Sequence, residues 1–443
     1  MFWIQLLVLL GFILVGAQLK GMGLGIMGAL GTVIYVYVFD MAAGNPPIDV
    51  MLIILCVVTA AASLQVSGGM DYLVHIAEKI IRKKPASITF IGPVVTFFFT
   101  FLAGTAHISY SLLPIIAEVS AKTGIRPEKP LSIAVVASGF AIVACPISAA
   151  TVAMLSELNT IEGNTYGLLN IVAIVLPACI IGLIAGAIVA NMQGKNLADD
   201  MEYQEKLKNP EFRKMVEGSG EQQTEKTFSS EAKLSVWVFI AGVIAIMALG
   251  VVYPQHKTYF VEHLNMTMEK NIQLIMLSVV MINIALAKIK APNIAKSSIF
   301  RAGTEAVVSI FGVVWMSNTF IHANEQTLTS ALQGVVSNYS WVFAIALFFM
   351  SALMFSQAST VKAIMPLGVK LGLLQPSLIA MYPATAGIFF IPSYPTIIAA
   401  INFDKTGTTK VGKYLLNHSF MLPGLTMAIV TLLTSLTLSY FLY

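Results

Sequence analysis

The chain has 443 residues, 57% of them hydrophobic and 11% charged, with a formal net charge of +4. An average soluble domain is about a quarter charged, so this composition excludes a soluble globular protein and indicates an integral membrane one. Its bases sit at the ends of apolar runs and form no stripe, which excludes nucleic acid as a partner and leaves the lipid bilayer.

The first apolar run begins almost at Met1, without a basic n-region or a cleavage site, and reads as a retained span. Runs 2–18 and 22–39 meet at Lys20, which the positive-inside rule places in the cytoplasm, with the amino terminus outside. Gly23, Gly25 and Gly28 fit Gly-x-Gly-x-x-Gly, but no strand or ribose-binding acid surrounds them, and in a membrane helix small residues permit close packing. Run 50–64 leads through Ser67-Gly-Gly into an amphipathic piece ending at Arg82, Lys83 and Lys84.

From Ser87 the chain reaches Gly104-Thr-Ala-His-Ile-Ser-Tyr-Ser111, returns as LLPIIAEVS, and ends at Lys122, Arg126 and Lys129. Basic flanks on both sides predict a re-entrant hairpin, about 87–120, with a polar tip. A crossing of about 130–155 is interrupted at Cys145-Pro-Ile-Ser148 and exits at the acidic Glu157 and Glu162, and 166–192 returns. Residues 191–233 are polar and mixed in sign, a cytoplasmic linker. Spans 234–252, 272–286 and 304–321 follow, with Lys288, Lys290, Lys296 and Arg301 inside. A second hairpin, 341–374, carries SQASTVK from Ser356; a crossing of about 377–404 is broken at Ile391-Pro-Ser-Tyr-Pro395; and 419–443 exits, so both termini lie outside. Cys56, Cys145 and Cys179 are far apart, and the six histidines form no ligand pair, so neither disulfides nor a metal or other cofactor is expected.

Each half, 1–190 and 234–443, thus holds three spans, a hairpin, a broken span and a final span in opposite orientation. Ser67 and Ser317, Pro114 and Pro366, and Pro146 and Pro392 recur at offsets of 250, 252 and 246. The expected fold is an all-α polytopic membrane protein with about ten transmembrane helices and two re-entrant hairpins, arranged as inverted repeats with broken helices. It is ion-transporter-superfamily-like and compatible with an elevator type of movement.

In such folds substrate binds near the midplane, between the repeats. Hydroxyls, an amide and half-helix N–H groups suit an anion, each helix start acting as roughly half a positive charge. The candidate ligands are Thr105, His107, Ser109, Ser148, Ser356, Gln357, Ser359, Thr360, Lys362, Ser393, Tyr394 and Thr396. Lys362 supplies a full charge, against the alternative of a snorkelling side chain, and no cluster of buried carboxylates awaits a cation. Emptied, the site would leave this lysine without a counter-anion, so loaded return, meaning exchange, is expected. His107 is equally readable as a neutral hydrogen-bonded residue. Asp404, beside Lys405, is a transport or signalling candidate or else a solvated ion pair or helix-end anchor. Ser359-Thr-Val-Lys362 with Lys405-Thr-Gly407 imitates two of three serine-acyltransferase signatures, but the Ser-x-Asn element between them is absent, which weighs against an enzyme.

The stretches SGGMDYLVHIAEKIIRKKP from Ser67, GTAHISYSLLPIIAEV from Gly104, CPISAATV from Cys145, SQASTVKAIMP from Ser356, FIPSYPTIIAAINFDKTGTTKVGK from Phe390 and NHSFMLPG from Asn417 resemble the anaerobic C4-dicarboxylate transporter (Dcu) family. The likeness covers essentially the whole chain, with Ala106 where the hairpin tip often has a second glycine. It implies a bacterial inner-membrane carrier exchanging or importing fumarate, malate, aspartate and succinate during anaerobic growth. A membrane sensor kinase, which some relatives assist, and a second copy of the chain, as a homodimer, are the candidate protein partners. A carrier for another small organic anion and a co-sensor are the alternatives.

Overall fold

The computed structural model describes residues 1–19, 22–217, 227–327, 330, 339–392, 394–412 and 417–442. Apolar runs fold as helices because lipid offers no partner to backbone N–H and C=O groups, which must bond within their own segment. The first half contains α1 (Phe2–Leu19), α2 (Gly23–Tyr37), α3 (Ile48–Val66), α4 (Gly69–Lys83), α5 (Ile88–Ala103), α6 (Ser109–Lys122), α7 (Glu128–Ala144), α8 (Ala149–Leu158) and α9 (Leu168–Met192). Short α10 (Met201–Lys206) and α11 (Pro210–Glu217) lie in the polar segment. The second half contains α12 (Ser230–Val252), α13 (Met268–Leu286), α14 (Ala291–Lys296), α15 (Ser298–Ala323), α16 (Val342–Met354), α17 (Gln357–Lys370), α18 (Gln375–Met381), α19 (Pro395–Phe403) and α20 (Met421–Leu442). One antiparallel bridge, Val411 to His418, is the only strand-like pairing among the described residues.

Among the described residues, seven segments are long and apolar enough to cross a membrane, and the α3–α4 pair, bent by 74°, makes up to eight. α1, α2 and α16 are shorter apolar helices. The span formed by α7 and α8 is the axis of the molecule: 89% of its apolar window is buried, against 28% for α13 and for α20. A helix apolar on every side can be covered by lipid or by protein, and α7 is covered by protein, with α5, α6, α9 and the 382–389 segment packed around it.

The glycines of α2 act as packing residues. A Cβ on Gly25 or Gly28 would overlap the backbone of Val308 or Gly312, so α2 and α15 lie in direct backbone contact. Several helices start earlier than their apolar runs, because a polar cap lengthens a helix beyond what hydropathy marks. α15 starts at Ser298, where the Ser297 side chain accepts from Phe300 N at 3.2 Å. The polar linker is partly helical for the same reason: the Asp200 carboxylate caps α10 through Glu202 N and Tyr203 N.

Candidate substrate site

Both hairpins turn on one left-handed residue. α5 stops at Gly104 (φ +67°) and α16 at Phe355 (φ +50°), a bulky side chain in a region that costs a non-glycine residue about 1–2 kcal/mol. At the first tip, Ala106–Ile108 form a 3₁₀ turn and Ser109 Oγ donates to Ala106 O at 2.6 Å. Thr105 is half-buried and already partnered, and the His107 side chain lies outside the described residues.

At the second tip, Ser356 caps α17, its Oγ accepting from Ser359 N at 3.2 Å, while Thr360 Oγ1 donates back to Ser356 O at 2.7 Å. Gln357 Nε2 reaches across to the Gly139 carbonyl of α7 at 2.7 Å. Ser359 differs from its neighbours. Its Oγ is fully buried, has no hydrogen-bond partner, and sits in the first turn of a 14-residue helix.

The first broken span separates α7 from α8 at Cys145–Ser148, where Pro146 supplies no N–H. Ser148 closes the break: its Oγ donates to Ile142 O at 2.6 Å and accepts from Thr151 N at 3.1 Å. Thr151 Oγ1 in turn meets Tyr382 OH at 3.1 Å. The second break is longer than the sequence suggests. The α-helix ends at Met381 and continues as a 3₁₀ helix, Tyr382–Phe389, before α19 restarts at Pro395. So long a 3₁₀ run is uncommon and often marks a hinge or strain. The N terminus of α19 has no side-chain cap. Tyr394 and Thr396 at this end line a narrow recess with Val135, Val136, Gly139, Ala386 and Ile388, with room for little more than a water molecule. Ser393 lies outside the described residues.

The structure therefore brings Gln357, Tyr394 and Thr396 to the middle of α7, and uses Ser109, Ser148, Ser356 and Thr360 to satisfy backbone at the tips and breaks. Lys362 stands elsewhere. Five residues beyond Gln357, it is about 140° around α17 and faces α8 rather than α7. There the expectation of a lone cation is corrected: Lys362 Nζ lies 2.5 Å from Glu157 Oε1 and 2.9 Å from Ser156 Oγ. Glu157 is buried and Lys362 nearly so, the lysine and glutamate side chains being 11% and 8% exposed. Neither a snorkelling head group nor an uncompensated charge is present. Ser359, three residues before Lys362, shares its face of the helix. Glu157, where the crossing exits, finds this partner 205 residues away.

Asp404 caps α19 and is buried, which corrects the solvated ion pair with Lys405. Its carboxylate accepts from Thr406 N (2.9 Å), Thr406 Oγ1, Thr408 Oγ1 (2.8 Å) and Thr409 N (2.6 Å). It organises a loop that docks on the start of α7, where Glu128 N donates to Thr408 Oγ1 at 3.2 Å and Ser419 Oγ to Glu128 Oε1 at 2.6 Å. Arg126 bonds Glu128 and Asp200, and Lys410 reaches Glu202 of α10 at 3.1 Å, so the linker is fastened to the same end.

Comparison with known proteins decides what this architecture is. The profile of the anaerobic C4-dicarboxylate membrane transporter family matches residues 1–443. The chain belongs to that family. Among curated Dcu proteins it is 38% identical over 422 residues to the C4-dicarboxylate transporter DcuA of Escherichia coli K12, covering 95% of each chain. It is 36% identical over 427 residues to the anaerobic C4-dicarboxylate transporter DcuB of E. coli O6:H1, covering 96% of this chain and 95% of that one. The Wolinella succinogenes DcuA is 38% identical over 420 residues, covering 95% of each chain. The family and these relatives are membrane transporters and not enzymes. In fold the Dcu chain is similar to the Alcanivorax borkumensis YdaH transporter, described as having an unusual topology, with a TM-score of 0.53 at 11% identity, covering 99% of this chain and 97% of that one. Of the residues around the candidate site, Gly139, Thr151, Glu157 and Tyr382 were not legible in the sequence, since each bonds a partner distant in sequence.

Proposed function

We propose that this chain carries C4-dicarboxylates such as fumarate, malate, aspartate and succinate across the bacterial inner membrane, by exchanging one for another and by cation-coupled uptake. The names of its relatives support the substrate class. The observation that carries the site is Ser359. A buried hydroxyl without a partner, in the first turn of α17 and on the face of Lys362, is a donor held in place for an anionic group, and the helix start adds its dipole.

An inverted repeat of 1–190 and 234–443, joined by 191–233, is the framework we infer. α8 and α19 begin 246 residues apart, and the left-handed stops Gly104 and Phe355 lie 251 apart. The returning arm of each hairpin packs on the second piece of the other half's broken span, α17 on α8 and α6 on α19. Substrate held between these elements would be reached from alternate sides as they move.

Ser359→Ala tests the site. Without substrate it removes an unsatisfied buried hydroxyl, so thermal stability should hold or rise; succinate affinity should fall tenfold or more, a hydrogen bond to a charged group being worth about 1.5–3 kcal/mol. Unchanged affinity would remove Ser359 from the site. Failure of wild-type proteoliposomes to take up succinate would overturn the function.

A further inference from the structure

We propose that Glu157 is the internal counter-anion of the transport site: it holds Lys362 while the site is empty, yields it to a substrate carboxylate, and takes up one proton as it does so. The inference rests on the reading that α17 receives a dicarboxylate.

The geometry carries the argument. Lys362 is neutralised by Glu157 at 2.5 Å, with Glu157 buried and Lys362 nearly so, and the lysine lies about one helical turn beyond Ser359 on the same face. A dicarboxylate seated with one end at Ser359 and the start of α17 therefore has its other end within reach of Lys362. That second carboxylate occupies the position relative to Nζ that Glu157 now fills. Glu157 is then a buried carboxylate beside a bound dianion and without its cation, a state too costly to persist charged. A proton from water bonds to one of its oxygens, while the Lys362–Glu157 contact breaks and a Lys362–substrate contact forms.

Among the described residues, Lys362 is the ion-pair partner of Glu157. Of the elements packed on α8, α17 brings Lys362 to Glu157, while Lys370 lies near its far end and pairs with Glu325. α9 has no charged residue and only Cys179; α7 has Glu128 and Lys129 at its opposite end, with Cys145 at the break; α3 has Cys56, and the side chain of its Asp49 lies outside the described residues. Glu269 of α13 is bonded by Asn159, beyond the end of α8.

The consequence for transport is specific. With Lys362 paired, the empty site is neutral and can return empty, so net uptake brings a proton with each dicarboxylate, whereas exchange carries none on balance.

The test uses the full-length protein in nanodiscs, titrated with succinate in weakly buffered solution containing a pH indicator. About one proton should be taken up per succinate bound, and wild-type affinity should fall by up to tenfold per pH unit across the window of uptake. Glu157→Gln should bind succinate several-fold more tightly, without proton uptake and without this pH dependence. An infrared difference spectrum of the wild type should gain a protonated-carboxyl band on adding succinate, a readout that stands however the Gln variant folds. Succinate binding by the wild type with no proton uptake and no such band overturns the inference, as does undiminished uptake in Glu157→Gln. Absence of succinate binding by the folded wild type refutes the dicarboxylate reading itself, and this inference with it.

Discussion

Gln357 Nε2 donates to the carbonyl of Gly139 at 2.7 Å, tying the first turn of α17 to the middle of α7 across 218 residues of sequence. A Cβ on Gly139 would meet Ile388 at 3.5 Å and Gln357 Nε2 at 3.9 Å, ordinary contact distances. Gly139→Ala should therefore fold, gaining up to about 1 kcal/mol of helix stability. Its methyl group enters the recess beside Tyr394 and Thr396, so succinate uptake should drop several-fold while the melting temperature holds or rises. A lower melting temperature with unchanged uptake per folded molecule would contradict a substrate role for the recess.

Removing one member of a buried ion pair is expected to hurt more than removing both. Lys362→Met leaves the Glu157 carboxylate without its cation and should cost about 3–5 kcal/mol of stability, whereas Lys362→Met with Glu157→Gln should recover most of that loss. Denaturation in mild detergent measures both. Neither variant should bind succinate with wild-type affinity, and equal stability of the two would show the pair to be solvated.

Asp404 holds its loop by accepting two backbone and two hydroxyl hydrogen bonds. Asp404→Asn replaces one acceptor oxygen with an NH₂ group facing donors, at a cost of about 1–3 kcal/mol. Hydrogen exchange across residues 404–409 should quicken well before the spans are affected. If exchange in this loop is unaltered, the carboxylate is not what orders it.

Topology is testable around α9, whose 25 residues are about 37 Å long, enough to cross a hydrocarbon core of about 30 Å. Cysteines introduced at Thr160 and Lys208, both exposed, should react with an impermeant reagent from opposite sides, Thr160 from outside. Labelling of both from one side would refute the inverted repeat.

Much of the architecture was legible because the bilayer imposes local rules. Pro146 and Pro392 announced both broken spans, and the basic flanks of 87–120 announced a hairpin that α5 and α6 form. The 3₁₀ run Tyr382–Phe389 was not legible. Nothing within those eight residues requires it, but its first residue is bonded to Thr151 and a Cβ on Gly387 would overlap Phe348, so packing decides its conformation.

The sequence by itself determined the helices, the places where they break, and the polar residues set among apolar ones, since each depends on neighbours a few residues away and on the solvent. Only the tertiary structure decided what those polar residues do. Lys362 was expected to be a bare cation and is paired with Glu157; Ser148, a candidate ligand, bonds Ile142 at the break; Asp404, for which a solvated ion pair and a helix-end anchor were both open, is the buried cap of α19 under its own loop. The physical reason is the same in each case. A buried polar group is satisfied by whatever the fold brings within about 3 Å, and for Lys362 and Gln357 that partner lies more than 200 residues away.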